Sequence, residues 1–164
     1  MKTLILMRHA KSSWKDTKLE DHERPLNKRG KKDAPLMGKV IHEMELVPQL
    51  ILSSTALRAR QTTEAVIDQC KCESNQVEYL DTFYMGEPSA YIERLRMLPD
   101  DIERVMIVGH NPALETLLQI FSRQIESLPT AVVAHIVLPI DHWSELNEES
   151  YGDLIGLWRP KELK

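Results

Sequence analysis

Thr3-Leu4-Ile5-Leu6-Met7-Arg8-His9-Ala10-Lys11 is the stretch that decides how this chain is read. Thr3 to Met7 has the length and unbroken apolar character of a strand buried on both faces. It stops at Arg8-His9, a guanidinium beside an imidazole, where an apolar strand ordinarily runs out into Gly, Asn or Asp. Open α/β sheets bind their ligands at the carboxyl ends of parallel strands. An Arg-His pair at that place points to an anion, with phosphate the first choice.

Outward from this strand, apolar runs alternate with helical patterns, which predicts an α/β fold with a mostly parallel central sheet. A polar loop, Ser12 to Pro25, precedes Asn27, which is placed to cap a helix reaching about Met44. Its Met37, Val40, Ile41 and Met44 recur at i, i+3, i+4 and i+7, the spacing of a core-facing stripe. Pro35 falls inside it, where the ring removes one backbone bond. Gln49 to Ser53 reads as the second strand and Ser54-Thr55 as a cap region. The helix that follows reaches about Cys70, with Ala59, Thr63, Val66, Ile67 and Cys70 inward and Arg58 in its first turn. A weaker strand, Val77 to Leu80, leads to the loop Met85-Gly86-Glu87-Pro88 and a helix to about Leu98. Arg104 to Val108 is rich in β-branched residues and reads as a strand. Gly109-His110 ends it, Asn111 is placed to cap the next helix and Pro112 fits its first position. Ala131 to Leu138 and Leu154 to Trp158 complete the sheet, with an acidic loop, Glu145 to Asp153, between them.

The size, 164 residues, predicts one domain over 1–164, large enough to bury a core without disulfides or metal. A net charge of −4 argues against nucleic-acid or membrane-surface partners, which select for a net basic surface. Arg8 interrupts the N-terminal apolar stretch before a signal-peptide core forms, and no window approaches the run of about 18 apolar residues that spans a bilayer. A cytoplasmic location is expected. Cys70 and Cys72, with one residue between them, are expected to be reduced thiols, one of them buried.

Arg8-His9 follows strand one, Arg58 opens the helix after strand two, and His110 precedes the helix after the Arg104 strand. All three belong on the same sheet edge. Two guanidiniums, two imidazoles and two helix N-termini in one crevice make an oxyanion site, since each is a donor or a positive end. Arginine is no nucleophile at neutral pH. A His9 flanked by Arg8 and Arg58 has its imidazolium form disfavoured and keeps a lone pair for attack on phosphorus. His110 is placed to donate to the equatorial oxygens during transfer. Lys11, Lys15, Arg24, Arg29 and Lys31 form either a basic rim or a solvated face, while Arg60 and Arg94 read as solvated helix residues. His22, His42, His135 and His142 do not pair at metal-ligand spacing and no glycine-rich nucleotide loop is present, so neither metal nor cofactor is expected.

Arg8-His9-Ala10-Lys11, Leu57-Arg58-Ala59-Arg60-Gln61-Thr62 and Val108-Gly109-His110-Asn111-Pro112 together resemble the three signatures of the histidine phosphatase superfamily. Arg24-Pro25-Leu26-Asn27-Lys28-Arg29-Gly30 and Ser53-Ser54 match as well. The Arg-His-Ala-Lys variant in a short chain is similar to the SixA-type phosphohistidine phosphatases. The resemblance implies a phosphoglycerate-mutase-like, three-layer α/β/α sandwich, with His9 phosphorylated and then hydrolysed in a phosphate pocket of Arg8, Arg58 and His110. The chain departs from the family pattern at Ala10, where many relatives have Gly, and at Lys15 after Trp14, where mutase-like members have Asn. For a general acid, Glu87 before the Pro88 helix and Asp21 in the polar loop are the positional candidates.

The expected activity is a metal-independent phosphatase acting on protein-borne phosphohistidine, such as that of a phosphotransfer domain. A short chain has little sequence for a lid, and an open cleft admits a phosphorylated protein; a mutase needs a closed site that excludes water. The alternatives are a phosphatase for small phosphomonoesters on the same site, or a phosphate- or phosphohistidine-binding module without turnover.

Overall fold

Period-2 alternation in β1 (Lys2–Arg8) sends Leu4 and Leu6 to one face of a sheet and Ile5 and Met7 to the other, and all four are buried. The computed structural model, which describes residues 1–72 and 76–163, places this strand inside a six-stranded sheet. The other strands are β2 (Leu50–Ser54), β3 (Val77–Leu80), β4 (Arg104–Gly109), β5 (Val133–Leu138) and β6 (Asp153–Trp158). Their spatial order is β3-β2-β4-β1-β5-β6. Only β5 runs against the rest, pairing antiparallel with β1 and β6, so the sheet is mostly parallel as expected.

Helices cover both faces, giving the three-layer sandwich. Ile5, Met7, Ile51, Met106 and Val108 pack under α1 (Lys28–Glu43) and α2 (Leu57–Cys70). Leu4, Leu6, Leu52, Val105 and Ile107 pack under α3 (Pro88–Arg96) and α4 (Ala113–Ser122). Each strand of the centre therefore buries apolar side chains in both directions, which is why these runs show no polar alternation. No described helix is long and apolar enough to cross a membrane.

α1 starts as its sequence implies: Asn27 Oδ1 accepts from the Gly30 N–H at 2.9 Å. It continues through Pro35 to Glu43. Its buried face is narrower in side-chain volume than the apolar spacing suggests. Met44 stands beyond the last turn and is 50% exposed, while Gly30, Ala34 and Gly38 join Met37 and Ile41 in the interior. A β-carbon on Gly38 would lie 2.8 Å from Gln69 Cβ, so the small residues let α1 lie close against α2. Cys70 is buried and Cys72 half-buried, both free thiols.

Two expected caps are not caps. Ser54 belongs to β2, and α2 begins behind Ala56 with no side-chain cap. Asn111 does not cap α4, which begins at Ala113 behind Pro112; the Asn111 amide instead donates to Glu115 Oε1 and to the Leu128 carbonyl, both at 2.8 Å. Both residues are spent on the sheet edge.

Strand register aligns that edge. Arg8 lies opposite Gly109, and Ser53 opposite Val108, so β1, β4 and β2 end at one level with β4 in the middle. Gly109 is required there by close approach: a β-carbon would sit 2.6 Å from the Tyr91 hydroxyl. We predict that Gly109→Ala lowers stability by roughly 1–3 kcal/mol, the range for overpacking a filled core. The urea midpoint should fall, and adding Tyr91→Phe should recover part of the loss by removing the nearest atom.

Candidate active site

His9 leaves β1 with its backbone held on both sides. Its N–H donates to the Gly109 carbonyl at 3.1 Å, and its own carbonyl and that of Arg8 accept from Ala131 N at 3.1 Å. Ala131 reaches them from the left-handed region, at φ 65°. The imidazole is 7% exposed. Nδ1 lies 2.8 Å from the Ala10 carbonyl, which can only accept, so Nδ1 carries the proton and Nε2 keeps the lone pair. Burial pushes the His9 pKa down to about 3; the Ala10 bond opposes this, and His110, Arg58 and Arg8 add to it. The neutrality anticipated from flanking arginines is thus present, but desolvation leads and the charges follow.

Ala10, in the position where many relatives carry Gly, is fully buried. Its N–H donates to Thr62 Oγ1 at 3.0 Å, and that hydroxyl donates to the Arg58 carbonyl at 2.7 Å. The loop behind His9 is thereby fastened to the first turns of α2. Gln61 continues the same seam by accepting from Leu26 N at 2.8 Å.

Arg8 and Arg58 both line one cleft, each anchored by its own partners. Arg8 Nη1 donates to the Leu128 carbonyl at 3.1 Å. Arg58 Nη1 donates to the Asp21 carbonyl at 2.7 Å and its Nη2 to Asp21 Oδ2 at 3.0 Å. The Nε of each guanidinium is buried without a hydrogen-bond partner among the described residues. Both residues line the same cleft, and guanidinium N–H donors at a cleft are what an oxyanion uses.

His110 follows β4, between the strands that lead to Arg58 and to His9. Its ring centroid lies 5.0 Å from that of His9, and its Nε2 is 2.7 Å from Ser54 Oγ. Burial and then Arg58 push its pKa down to about 4, with Asp21 opposing. Its backbone carbonyl accepts from Leu114 N at 3.1 Å and so opens α4.

These groups line a cleft of about 330 Å³ together with Lys11 and Arg24, and no described Asp or Glu lines it. The two acid candidates part company. Burial works against ionising Asp21, yet the Tyr84 hydroxyl bond and the Arg58 and Arg24 guanidiniums hold its carboxyl at about 2. It is an acceptor for three donors and has no proton to give near neutrality. Glu87 is exposed and lies outside the cleft, in an adjoining groove. The basic rim divides as well. Lys11 lines the cleft, and Arg24 is buried under Trp14, 3.5 Å from its ring centroid, donating to Ser12 Oγ at 2.8 Å. Lys15, Arg29 and Lys31 line a different groove, beyond the Ser12–Leu26 bridge. Arg60 and Arg94 are not simply solvated: Arg60 stacks on Tyr79, and Arg94 pairs with Glu78. Among the described residues no three His, Cys, Asp or Glu side chains are grouped to hold a metal.

Ser54, Thr62, Tyr84 and the Leu128 carbonyl are parts of the site that residue-by-residue reading passed over. Ser54 and Thr62 sit inside the quoted motifs, where spacing from Arg58 marks Thr62 as one turn along the same helix face. Tyr84 and a backbone carbonyl leave no pattern in sequence.

The two depressed histidines set a pH dependence. Unfolded histidine titrates near 6.5, so as pH falls below that value the unfolded chain takes up protons that His110 and His9 refuse until about 4 and about 3. They subtract stability progressively through that window. Asp21 acts separately: its contribution is present above about 3.8 and lost toward about 2. We predict that urea midpoints of a His9→Gln, His110→Gln variant fall less steeply than wild type between about pH 6.5 and 4. Parallel slopes would refute the neutral assignment.

The family model for the histidine phosphatase superfamily, branch 1, matches residues 4–128. An uncharacterized chloroplastic protein of Arabidopsis thaliana is 34% identical over 151 residues, covering 87% of this chain and 69% of its own. An Agrobacterium tumefaciens structure assigned provisionally as a phosphohistidine phosphatase SixA superposes with TM-score 0.83 at 27% identity, covering 97% of this chain and 98% of that one. A protein histidine phosphatase SixA complexed with tungstate has the same fold, with TM-score 0.83 at 23% identity and 99% of both chains covered. The cleft, the three motifs that build it and these likenesses agree: the chain belongs to the histidine phosphatase superfamily, in its SixA-type form.

Proposed function

We propose that the chain is a phosphatase for protein-borne phosphohistidine, working through a phosphoryl group on His9. The observation that carries this reading is the fixed tautomer of a neutral, buried His9 in a cleft of guanidinium donors. A module that only held phosphate would gain more from a protonated imidazole. Here the site suppresses that charge and keeps Nε2 nucleophilic. A SixA of the same fold binds tungstate, a tetrahedral oxyanion, which supports the cleft as the phosphoryl site.

In the first step His9 Nε2 bonds to phosphorus as the substrate's P–N bond breaks. The electron pair leaves with the substrate imidazole, which takes a proton from water in the open cleft. Arg8 and Arg58, which line the cleft, offer guanidinium donors to the equatorial oxygens, and His110, steadied by Ser54, lies beside them. The Ala10 carbonyl keeps Nδ1–H in place throughout, so phosphorylated His9 is a cationic imidazole, a good leaving group among arginines that disfavour its charge. Water then attacks phosphorus, phosphate departs with the water oxygen, and the second water proton passes to solvent or phosphate. Neutral His9 returns. No protein carboxylic acid is needed, since protonation of an imidazole leaving group comes readily at neutral pH.

Phosphate release from a histidine-phosphorylated phosphotransfer protein tests this. Wild type should release phosphate. His9→Ala should fall to background while still binding inorganic phosphate, and Arg58→Ala should lose roughly 10²–10³ in kcat and weaken phosphate binding too. Equal rates for His9→Ala and wild type would end the covalent mechanism.

A further inference from the structure

A second groove, about 320 Å³ in volume, opens beside the phosphate cleft and shares Met85, His110 and Asn111 with it. Its chemistry is the reverse. The cleft presents Arg8, Lys11, Arg24 and Arg58, whereas the groove continues past His110 over Pro88, Pro112, Ala113 and Thr116, with no Lys or Arg and a single carboxylate, Glu87. The junction is built to present an apolar side chain. Met85 is 82% exposed and held at φ 56°, a left-handed conformation that a side-chain-bearing residue adopts at a cost. Gly86 fixes the turn that carries it, because a β-carbon there would lie 2.1 Å from the Thr82 carbonyl. A flexible thioether at such a place adapts to apolar surfaces of varied shape.

Given the phosphatase reading above, we propose that this groove is the leaving-group subsite, and that it selects an uncharged, planar, ring-bearing carrier of the phosphoryl group. With phosphate among the arginines, a leaving group that extends across His110, Asn111 and Met85, the wall the two spaces share, enters the groove. A leaving group bearing a carboxylate or a second phosphate finds no cation in the groove and meets Glu87. An imidazole ring brings no charge to desolvate, lies against Met85 and Pro112, and on departure has an N–H for the Glu87 carboxylate. The same chemistry disfavours sugar phosphates and phosphorylated acids.

Binding of two non-hydrolysable probes, phenylphosphonate and methylphosphonate, reads the subsite independently of turnover. Wild type should bind phenylphosphonate at least ~10-fold more tightly, the gain for burying part of a ring. Met85→Glu and Thr116→Glu, both at exposed positions, should reduce that ratio to within about threefold. Thr116→Glu should hold methylphosphonate nearly as well as wild type, which also shows that it is folded. No phenyl preference in wild type, or a preference that survives both substitutions, overturns the subsite. A wild type that prefers phenylphosphonate yet releases nothing from the phosphorylated protein keeps the subsite and removes the proposed substrate. Release without phenyl preference does the converse.

Discussion

Keeping an imidazole neutral inside a cluster of cations is the constraint on which the rest of this site depends. His9 is buried, and the 2.8 Å contact with the Ala10 carbonyl decides which nitrogen carries its proton. That one bond assigns Nε2 as the free atom. It also makes the conformation of residues 9 and 10 a chemical matter, since a small rotation of the Ala10 peptide would release the tautomer. The fold holds the backbone that leads into that carbonyl, through Gly109 and Ala131 on the β4 and β5 sides and, at the Ala10 N–H, through Thr62 on the α2 side. The parallel sheet contributes by ending β1, β4 and β2 at one level, where residues far apart in sequence meet.

The same crowding explains Asp21. Arg8, Arg24 and Arg58 all line one cleft, and bringing three guanidiniums together is unfavourable unless a carboxylate sits among them. Asp21 does so from just outside the cleft, accepting from Arg24 Nε, Arg58 Nη2 and the Tyr84 hydroxyl. It holds both outer nitrogens of Arg58, Nη1 through its carbonyl and Nη2 through its carboxylate, and so fixes the guanidinium. A residue that looks from sequence like a proton donor is, by its surroundings, a counter-ion that orients the Arg58 guanidinium. The His110 pKa is held up slightly by the same charge.

The fold was legible where burial on both faces of the sheet wrote itself as apolar runs, as in Thr3–Met7 and Arg104–Val108, and where Asn27 announced a helix start. Arg8, His9, Arg58 and His110 were legible because a parallel sheet forces strand ends together. Legibility failed for reasons of two kinds. Small residues carry packing without an apolar signature, so Gly30 and Gly38 went unread while Met44, one step past the helix, was counted as core. Polar residues with several possible partners could not be assigned from one chain position: Ser54 and Asn111 have the chemistry of caps, but the sheet edge claims them for His110 and Leu128. Arg24 shows the same limit, reading as rim and lying beneath Trp14.

The central claim is that Nε2 of a neutral His9 takes the phosphoryl group. The most direct measurement is to quench the enzyme with alkali during turnover of a ³²P-labelled phosphohistidine protein, and to locate the attached phosphoryl group by peptide mapping and ³¹P NMR. The account predicts an acid-labile, alkali-stable phosphoryl group on His9, attached at Nε2. A phosphoryl group at Nδ1, or on any other residue, would contradict it.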